Sequence, residues 1–167
     1  MKKILFFRLF ASVLLIFSSV IASATNATNE NIVQIASSNP EFSTLVKAIK
    51  AAGLVDTLEG KGPFTVFAPT DAAFAKLPKG DLEKLLNNKE ELAAILKYHT
   101  VSGEVMSKDI KPGDVPTVQG GMIKISVRNG GVYVNNAKVT KADIQASNGV
   151  IHVIDTVLTP PSDSSNK

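Results

Sequence analysis

The sequence predicts an α+β protein with one compact domain, its helices gathered in the first half and its strands in the second. Two observations carry that prediction. Between Ile32 and Lys97 apolar residues recur at helical spacing behind residues suited to capping, and after residue 99 the period changes to two. Three asparagine-led dipeptides, Asn129-Gly130, Asn135-Asn136 and Asn148-Gly149, then divide the second half into short runs in the manner of hairpin turns.

The elements follow in order. A first helix is expected from Ile32 to Ser37, with Ile32, Val33, Ile35 and Ala36 as its apolar stripe. Asn39-Pro40-Glu41 opens a second: Asn can accept the free N–H groups, Pro has none to waste, and Glu faces the positive end of the helix dipole. Phe42, Leu45, Val46 and Ile49 form its buried face, and Gly53 stands where a left-handed residue ends a helix. Leu54–Leu58 reads as a short strand, 60–63 as a turn, and Phe64–Ala68 as a buried strand that Pro69 stops. Thr70 caps the next helix with Asp71 in its first turn. Helices over Asp81–Leu86 and Lys89–Lys97 follow, the latter opened by Asn88 with Glu91 three residues on.

In the second half, Ile123, Ile125 and Val127 are expected to face inward and Lys124, Ser126 and Arg128 outward. The runs Ile123–Val127, Val132–Val134, Val139–Ala146 and Val150–Leu158 should form an antiparallel meander.

Residues 1–24 read as a cleaved export signal: Met1-Lys2-Lys3 is positive, Ala11 to Ile21 is apolar, and Ala22-Ser23-Ala24 is a small-x-small cleavage site. A polar leader over 25–30, the domain over 31–160 and a polar tail over 161–167 complete the division. The chain has 18 basic and 15 acidic residues. Three of the basic ones, Lys2, Lys3 and Arg8, leave with the signal, so the rest carries no formal net charge and offers no basic face for nucleic acid. There is no cysteine, hence no disulfide framework and no lipid-modified cysteine. These features point to a bacterial protein, periplasmic or secreted, with no transmembrane anchor once the signal is removed.

Chemistry-bearing residues are few. The chain has two histidines and no tryptophan. They lie far apart in sequence, without metal-ligand spacing, and the Gly-x-Ser-x-Gly, HExxH and phosphate-loop motifs are absent. A Ser–His–Asp arrangement assembled in space stays open. His152 lies in a run apolar on both faces, so it is expected to be buried and hydrogen-bonded through both nitrogens. His99 follows Tyr98 at a helix end, where an imidazolium would meet the negative end of the dipole.

Three segments together resemble the fasciclin-like (FAS1) domain: Phe64 to Phe74, the pair Tyr98-His99, and Asn148 to Asp155. The resemblance covers roughly residues 30–160. It implies a wedge-like antiparallel β-sandwich with a helical cluster packed beside it, and an extracellular adhesion or interaction module rather than an enzyme. Thr70 and Asp71, as a helix cap, and His152, as a core histidine tying its strand to a neighbour, are read as structural from their own positions; the resemblance implies a structural or receptor-binding role for Tyr98 and His99. Asp143-Ile144 occupies the place of the Asp-Ile pair that animal relatives use in integrin contact, although the preceding residues differ. No cofactor or metal is implied. The expected partner is a protein or cell surface met by a monomer, with the Met106–Thr117 region and the Val139–Ile144 strand as candidate surfaces. The competing readings are a small-molecule or lipid carrier with a pocket lined by Phe42, Phe67 and Phe74, and carbohydrate recognition through Tyr98 and Tyr133.

Overall fold

The computed structural model describes residues 29–78 and 80–160. The expected signal, most of the leader and the tail lie outside the described residues. Six α-helices precede most of the strands: α1 (Ile32–Ser38), α2 (Ser43–Ala52), α3 (Val55–Glu59), α4 (Asp71–Ala75), α5 (Asp81–Asn87) and α6 (Lys89–Tyr98). The strands are β1 (Phe64–Pro69), β2 (Thr100–Ser102), β3 (Gly113–Pro116), β4 (Met122–Arg128), β5 (Gly131–Val134), β6 (Ala137–Ala146) and β7 (Gly149–Ile154).

Local chemistry explains the helix ends. The Asn31 side chain accepts from the Gln34 N–H while Gln34 reaches back to the Asn31 N–H, a reciprocal cap that opens α1. Asn39 caps the short 3-10 turn over Pro40–Phe42, Asn88 caps α6, and Gly53 ends α2 at φ 68°. Leu54–Leu58, expected as a strand, is instead helical: Leu54 is the N-cap residue of α3, and Leu54 and Leu58 are four apart and both buried, which is helical spacing.

The strands form one mixed sheet in the order β2-β1-β7-β6-β5-β4-β3. Its two end strands approach each other through a bridge between Val101 and Thr117 and a hydrogen bond from Val118 N–H to the Thr100 carbonyl. The sheet is therefore nearly a barrel, where two facing sheets of a sandwich were expected; the α+β class stands. The pairing is not wholly antiparallel either, because β1 and β7 run parallel, with Phe67 opposite His152. Asn129-Gly130 and Asn135-Asn136 make the two hairpin turns expected of them, whereas the third turn is Ser147-Asn148 and Gly149 already belongs to β7. That strand ends at Ile154 rather than Leu158.

Two cores result. One fills the barrel, with Phe67, Tyr98, Val101, Ile123, Ile125, Val134, Ala137, Ile154 and Leu158. The other lies between the helices and the outer face of β1 and β7, where Val66, Ala68, Ile151 and Val153 meet Phe42, Leu45, Ile49, Phe74 and Leu92. Every residue of β7 is buried because both its faces are covered. Val127 departs from its expected inward burial: it is 48% exposed, one residue from the end of β4 where the chain turns into β5.

Asp71 does more than decorate its own helix. Thr70 Oγ1 accepts from Ala73 N–H and caps α4, while the Asp71 carboxylate takes the Ser43 hydroxyl at 2.5 Å and the Thr44 N–H at 2.8 Å, capping α2 from a distance in sequence. Partial burial would raise its pKa, but these bonds and nearby Lys47 outweigh it and hold the carboxyl below its ordinary value. Replacing Thr70 and Asp71 together by alanine should therefore cost about 2–3 kcal/mol, more than one cap supplies. Urea unfolding measures this, and a loss below about 1 kcal/mol would show that the second cap contributes nothing.

Candidate functional site

The two histidines end inside the protein and each is saturated by backbone groups. His99 follows α6 and is 2% exposed. Its Nδ1–H donates to the Ile95 carbonyl at 2.8 Å and its Nε2 accepts from the Leu158 N–H at 2.8 Å. This arrangement needs the neutral ring. Burial drives its pKa down from 6.5 to about 4, against a smaller upward pull from the Ile95 carbonyl. The dipole attraction expected for an imidazolium at this helix end is thus overruled by desolvation. His99 instead pins the segment after β7 to α6.

His152 is 0% exposed and lies on the barrel side of β7, stacked on Phe67 with centroids 5.6 Å apart. Its Nε2–H donates to the Val105 carbonyl at 2.7 Å, which leaves Nδ1 to accept from the Asp143 N–H at 3.3 Å. Neither ring keeps a free nitrogen for proton transfer to a substrate. Among the described residues no group of three or more His, Asp or Glu side chains is placed to hold a metal ion.

Tyr98 is also internal, 2% exposed, and packed in the barrel core. Its hydroxyl donates to the Met122 carbonyl at 2.9 Å and accepts from Asn135 at 3.2 Å. A partner resting on the folded surface meets the rings of neither Tyr98 nor His99. This burial also removes Tyr98 as a sugar-stacking platform.

Asp143-Ile144 sits in an irregular part of β6, with register shifts on either side of Lys141 and a left-handed φ of 57° at Asp143. Ile144 is half-buried against the helical core. The Asp143 carboxylate accepts the Ser107 N–H at 2.6 Å and also the Ser107 hydroxyl. Partial burial alone would raise its pKa; the Ser107 bonds, with His152 and Lys108 nearby, bring it below the ordinary value. Two stretches singled out separately in the sequence, Met106–Thr117 and Val139–Ile144, are thereby joined into one surface. Lys108, Asp109, Lys111, Lys141 and Ala142 are exposed along them.

Asn148, expected only as a turn residue, has long-range bonds that none of its neighbours in sequence announces. Its side chain accepts from the Ile32 N–H at 3.0 Å and donates to the Leu58 and Gly60 carbonyls at 2.6 and 3.1 Å. Its own carbonyl accepts from Phe64 N–H. One turn residue thus ties α1, the end of α3 and β1 to the β6–β7 hairpin. Phe42, Phe67 and Phe74 are buried as parts of the two cores. A groove of about 430 Å³ does lie elsewhere, between α5 and α6, lined by Leu77, Leu85, Ala94, Ile95 and Pro160 with Lys84 and Glu91 beside it.

Known proteins place this arrangement. The family model described as the Fasciclin domain matches residues 40–160. The chain is 49% identical over 146 residues to Protein sll1483 of Synechocystis, covering 86% of this chain and 81% of that one. It is 36% identical to the Immunogenic protein MPB70 of Mycobacterium bovis, over 84% of this chain and 75% of the relative. Identity to the pig Transforming growth factor-beta-induced protein ig-h3 is 45%, over 78% of this chain but only 19% of that longer protein. Among solved structures, a FAS1 domain pair from the insect cell adhesion molecule Fasciclin I superposes with a TM-score of 0.65 at 24% identity, covering 80% of this chain and 52% of that one, a likeness of fold. Among the described residues no helix is long and apolar enough to cross a membrane. The chain belongs to the fasciclin domain family, whose members are known for cell-adhesion or extracellular-interaction roles and are generally non-enzymatic.

Proposed function

We propose that this protein is an exported, non-catalytic interaction module that meets a protein or cell-surface partner outside a bacterial cytoplasm, in the periplasm or beyond it. The observation that carries the reading is the union of Met106–Thr117 with Val139–Ile144 through Ser107 and Asp143, which sets the exposed charged side chains of a loop beside those of β6. The buried histidines support it from the other side, since every ring nitrogen is committed to the backbone. Tyr98, His99, Thr70, Asp71 and His152 then act as internal braces, and Asp143 and Ile144 shape the surface rather than offering themselves as free contacts. A single module binds weakly, so measurable attachment comes from many copies displayed together.

The test is retention of the protein, displayed multivalently on beads, by the envelope or surface of its host. Retention is expected and should fall several-fold when Lys108 and Lys111 are both changed to Glu, because charges at the rim steer encounter. Retention unaffected by that change would move the site elsewhere, and no retention on any surface would defeat the reading.

The second reading, a small-molecule or lipid carrier, now rests on the α5–α6 groove, whose volume and apolar lining fall in the range of ligand pockets. Native mass spectrometry of protein purified from its host separates the two: a bound species supports carriage, and bare protein removes it.

A further inference from the structure

Three hairpin turns of this chain contain asparagine, and the fold holds their side chains very differently. Asn148 accepts from the Ile32 N–H and donates to the Leu58 and Gly60 carbonyls. Asn135 accepts from the Lys124 N–H at 2.8 Å and donates to the Tyr98 hydroxyl at 3.2 Å. Asn129 is exposed in the two-residue turn between β4 and β5, and its side chain has no hydrogen bond to any described residue. Arg128 and Gly131 close that turn, so the ladder makes no use of the Gly130 N–H between them.

The difference matters because asparagine is chemically labile, most of all before glycine, whose missing side chain leaves its backbone nitrogen open to close approach. The glycine nitrogen attacks the asparagine Cγ: an N–Cγ bond forms, the Cγ–Nδ2 bond breaks, and ammonia leaves carrying the proton from the glycine N–H. Water then adds to either carbonyl of the five-membered imide and opens it to aspartate or isoaspartate. Closing the ring requires the asparagine side chain and the following peptide to rotate toward each other.

Asn129-Gly130 and Asn148-Gly149 are the same dipeptide, yet that rotation has different costs at the two places. At Asn129 it disturbs only the tip of an exposed turn, where local opening is cheap. At Asn148 it breaks three side-chain hydrogen bonds and must move Gly149, which is buried in β7. The Phe64 backbone stands so close to Gly149 that even a Cβ there would lie 1.9 Å from its carbonyl oxygen.

The open turn also has a telling position. Gly113 lies opposite Ile125 in the antiparallel β3–β4 ladder, so the residues just before Gly113 run toward the β4–β5 turn. From Ala137, opposite Val134, β6 runs toward the same end of the sheet. Both halves of the exposed surface, Met106–Thr117 and Val139–Ile144, thus extend toward Asn129.

We propose that Asn129-Gly130 is a self-modifying site, at which the folded protein converts Asn129 through the cyclic imide to aspartate and isoaspartate, while the fold protects Asn148-Gly149. Each conversion adds one negative charge, and isoaspartate also adds one carbon to the backbone of the turn. The chemistry proceeds whether or not the neighbouring surface meets a partner.

The full chain held at pH 7.5 and 37 °C for several weeks, then digested with pepsin in acid and followed by mass spectrometry of the two Asn-Gly peptides, tests this. Asn129 is expected to convert at least about tenfold faster than Asn148. Isoaspartate, read as methyl acceptance from an isoaspartyl methyltransferase, is expected among its products. The same chain kept unfolded in guanidinium chloride should convert at the two sites at comparable rates. Equal rates in the folded chain, no conversion at Asn129, or a product there free of isoaspartate would overturn the proposal. So would an excess at Asn129 that persists in the unfolded chain, because the flanking residues and not the fold would then set the preference.

Discussion

Replacing Gly149 by alanine will destabilise this protein by about 3 kcal/mol or more, among the largest effects of any single methyl group in the chain. A Cβ at that position would lie 1.9 Å from the Phe64 carbonyl oxygen and 2.9 Å from the Phe64 nitrogen. Those are backbone atoms of the strand paired with Gly149 in the parallel β1–β7 ladder, so no side chain can swing aside to make room. The same crossing is tight from the other side: a Cβ on Gly62, just before β1, would come 2.0 Å from the Asn148 carbonyl oxygen. Either substitution pushes β1 and β7 apart, which disturbs both cores because each strand faces both. Gly131→Ala is the control, since its nearest neighbours would be 3.5 Å away, an ordinary contact. Urea unfolding of the two variants should separate them clearly. A Gly149→Ala protein within about 0.5 kcal/mol of wild type would mean that the strands do not meet in this register.

The second large effect is a loss of stability in acid, set by His99. Its folded-state pKa lies below its unfolded-state value, so the folded chain resists the proton that the unfolded chain accepts. The stability it contributes is complete above pH 6.5 and drains away as the pH falls toward about 4. That gap corresponds to about 3 kcal/mol, of which about 2 kcal/mol is gone by pH 5. The structural reason is that an imidazolium could keep its bond to the Ile95 carbonyl but would face the Leu158 N–H with a second donor. Unfolding midpoints at pH 7.5, 5.0 and 4.0 check this, with a drop of about 10 °C expected across the series. Equal midpoints would show that the ring is not neutral and buried in solution. The lowered carboxyls of Asp71, Asp143 and Asp155 have the opposite window. Each is fully stabilising above its ordinary 3.8, and each loses that contribution only below it, so the two effects separate along the pH axis.

Local signals were legible in the sequence and long-range ones were not. Caps at Asn39, Thr70 and Asn88, the end of α2 at Gly53 and two of the three hairpin turns depend on neighbours a few residues away, and the structure has them as read. The burial of His152 was readable because apolar residues on both faces of a strand demand cover on both faces. Strands β2 and β3 were invisible: they are short, and what makes them strands is pairing with β1 and β4. The parallel β1–β7 pair joins residues 85 positions apart, beyond any periodicity. At the site, residue types were found but partners were not. Nothing near Asp71 in sequence announces Ser43, and nothing near Asp143 announces Ser107. Asn148 was noticed as a turn residue, while its bonds to α1 and α3 cross about ninety residues or more.

The irregularity of β6 also bears on how copies of this protein meet one another. β5 pairs with β6 only at Lys138 and Ala137, so from Val139 to Ile144 no strand of the described residues lies along its far side. A straight run of that length would be an open template on which a second molecule could add a strand and begin a fibril. The two register shifts and the kink at Asp143 break the spacing of its amide and carbonyl groups, and Lys138 and Lys141 add charge along it. The distortion that shapes the exposed surface is thus also a guard against self-templated aggregation, and crowded copies can remain separate molecules.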